Sequence, residues 1–325
     1  MPVIEVTDLV KEYVIVKKER GLRGALKGLF FPEKTNVRGV DGISFSIERG
    51  EIVGYIGPNG AGKSTTIKML TGILHPTEGT IRVCGVSPQA DRKAVVRKLG
   101  VVFGQRTQLY WDLRLGESFE LLKRIYQIDD QTYEDNMKVL TEVLRLDQFI
   151  DTPVRQLSLG QRMRGDLAAA MLHSPDVLFL DEPTIGLDAE AKRSIRGFIQ
   201  EMNRKRGITV ILTTHDLDDV EELCSRLIIV NHGKVVEDGP IDELIGKLTP
   251  KRLLVVDLQR PCADVEHPFA QIIKQDGLRL WYQFEKASIT AAELIADLSQ
   301  KLPIQDLSVQ EPDIEDAIRE VYATT

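Results

Sequence analysis

Two different hydrophobic patterns divide the first three quarters of the chain. Near the N-terminus, Val3-Ile4-Glu5-Val6 opens an extended segment, and Ile43, Phe45 and Ile47 alternate with Ser44, Ser46 and Glu48. Alternation with period two predicts half-buried antiparallel strands. Further on the apolar runs become continuous: Ile52-Val53-Gly54-Tyr55-Ile56, Leu99-Gly100-Val101-Val102-Phe103, Val177-Leu178-Phe179-Leu180, Val210-Ile211-Leu212 and Leu227-Ile228-Ile229-Val230. Such runs suit central strands covered on both faces. Helical patterns at 64–70 and 191–204 separate them, and this alternation predicts an α/β core with a mainly parallel sheet. Residues from about 106 to 174 show no convincing strand. There Leu121, Leu122 and Ile125, then Val139, Leu140, Val143 and Leu144, recur at helical spacing, which predicts a helical insertion in the core.

The pattern changes again after Gly246. Strands are expected at 253–258, 280–284 and 304–309, with a helix over 291–302 capped by Thr290 and a last helix at 314–322 after Pro312. The expected organisation is a first domain at 1–246 and a small α+β domain at 247–325. Within the first, the stretch from about 16 to 38 is unusual. Lys17, Lys18, Arg20, Arg23, Lys27, Lys34 and Arg38 face only Glu19 and Glu33. Leu22, Leu26, Leu29 and Phe30 have helical spacing there, weakened by Gly21, Gly24 and Gly28. This insertion reads either as a contact with a membrane partner or anionic lipid surface, or as a solvated loop.

Composition narrows the class. Forty-two Lys and Arg stand against 49 Asp and Glu, for a net charge of −7 among 325 residues. That balance disfavours a protein that binds nucleic acid through broad positive charge. Apolar residues at 42% and charged residues at 28% are ordinary for a globular protein. No apolar run approaches the ~18 residues of a membrane span, and the N-terminus lacks the pattern of a signal peptide. Cys84, Cys224 and Cys262 are too scattered for a disulfide framework or a zinc site.

The chemistry begins at Gly57-Pro58-Asn59-Gly60-Ala61-Gly62-Lys63-Ser64-Thr65, a G-x-x-x-x-G-K-[ST] phosphate loop after an apolar strand and before a helical pattern. Its glycines let backbone N–H groups turn inward around phosphates, and the following helix presents its positive end. Lys63 is placed to reach the β- and γ-phosphates and Ser64 to coordinate Mg²⁺. Asp181 and Glu182 end a buried strand, which suits Asp181 to the metal shell and Glu182 to activating water.

With these elements the chain resembles the ATP-binding cassette (ABC) ATPases over residues 1–240. Leu157-Ser158-Leu159-Gly160-Gln161 looks like the family's signature motif, with Ser158 as helix N-cap. Gln105 resembles the glutamine that touches Mg²⁺ and the attacking water. Asp188, in Gly186-Leu187-Asp188, resembles the residue at the dimer interface, and His215, in Thr213-Thr214-His215-Asp216, the histidine that bonds the γ-phosphate and positions Glu182. Tyr13 resembles the aromatic that stacks on adenine. Leu159 departs from the pattern, since a glycine is usual at that position.

The resemblance implies a P-loop NTPase core with an antiparallel N-terminal β subdomain and a helical subdomain, plus the C-terminal α+β domain. It implies ATP and Mg²⁺ as ligands. In that family Ser158, Gly160 and Gln161 would face the γ-phosphate held by a second copy, so the functional form is a head-to-tail homodimer. The implied partner is a transmembrane permease on another chain, which would hold this one peripherally on the cytoplasmic face of the plasma or inner membrane. The C-terminal segment 306–316 resembles the tail of drug and viologen-type exporter subunits, with a role in dimer contact or regulation. Tyr110 and Trp111 read either as a contact for the permease or as core of the helical subdomain. The alternative function is a soluble ABC ATPase acting on ribosomes or DNA.

Overall fold

The computed structural model describes residues 2–16, 34–104, 106–248, 251–262, 265–310, 318 and 322. Most of the basic stretch, Gln105 and most of the helix expected at 314–322 lie outside the described residues. The chain divides into two compact units, Met1–Ile241 and Asp242–Thr325, a boundary slightly before the change of pattern expected after Gly246.

The first unit opens with two long antiparallel strands, β1 (Pro2–Val16) and β2 (Lys34–Glu48), joined in one sheet by β4 (Glu78–Val83) in the order β2-β1-β4. Lys34 to Arg38, expected as the end of the insertion, belong to β2, where Arg38 pairs with Glu12 and Asp41. The second sheet holds β3 (Ile52–Ile56), β5 (Leu99–Phe103), β6 (Val177–Asp181), β7 (Thr209–Thr213), β8 (Arg226–Asn231) and β9 (Lys234–Pro240) in the order β5-β6-β7-β3-β8-β9. All neighbours are parallel except β9, which returns antiparallel along β8. Every residue of β3 and β7 is buried, as expected for central strands.

Helix α1 (Lys63–Leu70) shares one core with both sheets. Its Ile67, Met69 and Leu70 pack in the same cluster as Ile4, Ile43 and Phe45 of one sheet and Val53, Phe179 and Ile228 of the other. After the short α2 (Arg92–Val96), the helical insertion supplies α3 (Leu115–Tyr126), α4 (Asp130–Leu144) and α5 (Leu159–Met171). Helices α6 (Ala189–Arg206) and α7 (Leu217–Leu223) complete the unit.

The second unit begins in α8 (Ile241–Leu248). Its sheet is antiparallel, in the order β11-β12-β10-β13, from β10 (Lys251–Leu258), β11 (Ala270–Asp276), β12 (Arg279–Glu285) and β13 (Ile304–Gln310). Leu254, Val256, Leu280, Tyr282 and Phe284 pack on Leu294 and Leu298 of α9 (Ala291–Lys301). Thr290 caps α9 in a reciprocal capping box with Glu293. β11 was not visible in the pattern, because its residues are mostly exposed on both faces.

Candidate functional site

In the six-stranded sheet β7 lies between β6 and β3, so the carboxyl ends of these three strands stand side by side. Open α/β sheets bind ligands at that edge. From β3 the chain turns through 57–62 into α1. The turn requires glycine: φ is +86° at Gly60 and +103° at Gly62, and a Cβ at Gly57 or Gly62 would lie 2.2 Å from the Val230 carbonyl or 2.4 Å from the Gly39 carbonyl. No side chain caps α1, so the positive end of the helix opens toward the loop.

Lys63 is buried at the base of this turn. Its Nζ donates to the carbonyls of Gly57 (2.6 Å) and Pro58 (3.1 Å). Burial pushes its pKa down, opposed by the charges of Glu182 and Asp181. Asn59, Gly60 and Ser64 are exposed, and Ala61 is buried. The Tyr13 ring is exposed, with its hydroxyl 3.4 Å from Thr65 Oγ1.

β6 ends on Asp181, whose carboxylate accepts a hydrogen bond from the Thr213 hydroxyl of β7. At Glu182 the backbone leaves the strand with φ +55°, and its N–H donates to the Thr213 carbonyl at 2.8 Å. His215, just beyond β7, has Nε2 3.3 Å from Glu182 Oε1. Gly104 brings the segment before Gln105 against these acids. Its N–H donates to the Asp181 carbonyl at 2.7 Å, and a Cβ there would lie 2.2 Å from the Glu182 carbonyl. The structure thus brings together the phosphate loop, Asp181, Glu182 and His215, with Tyr13 beside Thr65.

Ser158, Gly160 and Gln161 stand elsewhere. They line a groove of about 710 Å³ with Leu159, Gly186 and Asp188. Ser158 N-caps α5: its hydroxyl accepts from the Gln161 N–H, and Gln161 Oε1 accepts from the Ser158 N–H. The hydroxyl proton remains available to an anion. Asp188 N-caps α6 by accepting from the Ala191 N–H at 2.8 Å. Leu159 is accommodated next to Gly186, where a Cβ would lie 3.3 Å from the leucine side chain. Tyr110 and Trp111 are exposed and Leu109 is buried, so only Leu109 serves the subdomain core.

Two buried carboxylates escaped the sequence reading. Asp219 accepts from the Thr184 hydroxyl and approaches Thr214 and Arg196 at 3.5 Å each, bracing the chain on both sides of the Glu182–His215 pair. Burial pushes its carboxyl up. Asp166 of α5 accepts from Thr107 and Gln108. A signal for it existed: Met163, Asp166, Leu167 and Ala170 have i, i+3, i+4, i+7 spacing, which sets a carboxylate on an apolar stripe.

Among the described residues no three His, Cys, Asp or Glu side chains group as a metal site. The donor set nevertheless fits Mg²⁺, which takes hard oxygen ligands and is commonly held by one or two protein oxygens together with substrate phosphates. Ser64 and Asp181 supply such oxygens beside the phosphate loop.

Comparison with known proteins finds a family and several relatives. A family described as ABC transporter matches residues 40–185. The chain is 30% identical to an uncharacterized ABC transporter ATP-binding protein, YhcH, of Bacillus subtilis, over 89% of this chain and 94% of that one. It is 38% identical to the Nod factor export ATP-binding protein I of Ralstonia nicotianae over 63% of this chain, a match that spans 64% of that relative. A solved structure of an ATP-binding subunit of an ABC transporter superposes with a TM-score of 0.63 at 27% identity, covering 75% of this chain and 92% of the other.

Proposed function

Because the chain belongs to the ABC transporter family, as an ATP-binding subunit of that family of ATPases, we propose that it hydrolyses ATP to power a membrane exporter whose permease is a separate chain. The observation that carries this reading is the convergence of Lys63, Asp181, Glu182 and His215 at one sheet edge, while Ser158 and Asp188 line a different groove. One chain then holds two half-sites, and a head-to-tail pair completes both. No helix among the described residues is long and apolar enough to cross a membrane; in this reading the permease is another chain, and it holds this one peripherally at the cytoplasmic face. The name of the Nod factor relative supports export.

In this reading the N–H groups of the phosphate loop and Lys63 bind the phosphates of ATP, and Tyr13 stacks on adenine. Asp181 and Ser64, with Gln105, hold Mg²⁺, which when bound neutralises charge on the phosphate oxygens. Glu182 orients the attacking water and takes its proton, and His215 keeps the Glu182 carboxylate in place. Ser158, Gly160 and Gln161 of the second copy donate to the γ-phosphate at the positive end of α5. Closure of the pair switches the permease, and hydrolysis reopens it. The C-terminal unit contributes dimer contact or regulation.

The test is Glu182→Gln. This variant should bind ATP, accumulate as a dimer in size-exclusion chromatography with light scattering, and release phosphate at least ~100-fold more slowly than wild type, as loss of a general base demands. Phosphate release at the wild-type rate refutes Glu182 as the base. Pull-down of the chain from cells should recover a membrane-spanning protein; recovery of ribosomes or DNA instead would support the soluble alternative.

A further inference from the structure

We propose that Asp166 is a positioning residue that fastens residues 107–111, immediately beyond Gln105, to the helix that begins at Ser158, so that the two functional segments move as one body. The proposal rests on the roles given above to Gln105 and Ser158.

The fastening is built from one stretch of α5. Asp166 is 4% exposed, and its Oδ1 accepts from both the Thr107 hydroxyl (2.9 Å) and the Gln108 N–H (3.0 Å). Its main-chain carbonyl accepts from Gln108 Nε2 at 3.0 Å. The Thr107 hydroxyl in turn accepts from the Leu109 N–H at 3.1 Å, so the carboxylate sets the shape of the whole turn. One residue earlier, Gly165 permits the approach: a Cβ there would lie 3.0 Å from Leu109 and 2.9 Å from Leu115. One turn earlier, the Arg162 guanidinium sits over the Trp111 ring, 5.4 Å from its centroid.

Packing alone does not call for a carboxylate here. The same helix buries Ala168, Ala169 and Ala170, and a buried acid is costly unless its hydrogen bonds are made. Two donors on one oxygen define a position in a way that an apolar contact does not. The turn starts two residues after Gln105, and Ser158 opens the same helix about 12 Å from Asp166 at 1.5 Å per residue. A loosened turn therefore shifts residues 107–111 relative to Ser158, and a misplacement near 1 Å beside a functional segment costs up to ~100-fold in rate.

Trp111 and Trp281 are the only tryptophans, so a Trp281→Phe background makes Trp111 fluorescence a reporter of this turn. In that background Asp166→Ala should raise acrylamide quenching of Trp111 about twofold and lower kcat for ATP about tenfold, while nucleotide affinity and KM stay within about twofold because the phosphate loop is untouched. Asp166→Asn keeps the acceptor oxygen and should restore both readouts. Thr107→Val removes a single donor and should fall between, which keeps the test open if the alanine variant does not fold. Wild-type quenching in Asp166→Ala (or in Thr107→Val, should the alanine variant not fold) overturns the proposal, as does an Asp166→Asn variant as impaired as the alanine one. Quenching is read without nucleotide, so it decides the fastening even if the wild-type chain fails to hydrolyse ATP, an outcome that would count against the proposed function instead.

Discussion

Lys63 is a buried cation whose hydrogen-bond partners are two carbonyls of its own loop, Gly57 and Pro58. An ammonium in that position exchanges carbonyl dipoles for phosphate charge when a nucleotide binds, and charge-assisted contacts of this kind contribute about 1.5–3 kcal/mol. Lys63→Met should therefore weaken ATP binding by at least about tenfold in equilibrium titration. Asp166 gives a second prediction, on stability. Burial raises its carboxyl to about 6 against the help of Thr107, Gln108 and Arg162. A folded-state value above the unfolded one adds stability that is complete at low pH and is lost as pH rises through about 6. Asp166→Asn does not titrate, so its melting temperature relative to wild type should be higher at pH 8 than at pH 5. The two pairs of acids differ in legibility for a physical reason. Asp181 and Glu182 stand in a motif whose chemistry is local in sequence. Helical spacing marks Asp166 as lying on a buried stripe but not what it bonds: its donors Thr107 and Gln108 lie 59 and 58 residues away, and Thr184, which donates to Asp219, lies 35 away.

At the scale of elements, the N-terminus of α5 carries two roles in one side chain under the proposed function: Ser158 caps the helix and would present its hydroxyl to the γ-phosphate. The roles are separable. Ser158→Asp keeps a cap acceptor, so thermal stability should hold within about 1 kcal/mol, yet a carboxylate facing the γ-phosphate should abolish hydrolysis. Ser158→Ala should lose the cap as well, at about 1 kcal/mol. Thermal melts beside phosphate-release rates distinguish the two variants. Elements with strong local signals were readable: continuous apolar strands, the Ser158 and Thr290 caps, the glycines of the phosphate loop. β4 and β11 were not. Only Ile81 and Val83 of β4 are buried, and β11 lies at a sheet edge with little buried on either face. Strands stabilised by a neighbour's backbone leave a weak imprint on their own side chains.

At the scale of the whole molecule, the chain is two bodies with separate cores. Tyr282 is fully buried in the second, its hydroxyl donating to the Val265 carbonyl at 2.7 Å. Tyr282→Ala should cost that unit about 3–5 kcal/mol, visible as a lowered transition in calorimetry, with ATP affinity unchanged. The change of pattern after Gly246 falls five residues beyond the boundary between the units at Ile241, because the exposed acidic start of α8 gives no mark of which unit it joins. The left-handed backbone at Glu182 bears on the molecule in a different way. A non-glycine residue at φ +55° carries strain of about 1 kcal/mol or more, and glycine relieves it. Glu182→Gly should thus melt higher than wild type while hydrolysing nothing, so at this position stability and turnover pull apart, and selection for thermostability alone would push this residue toward silence.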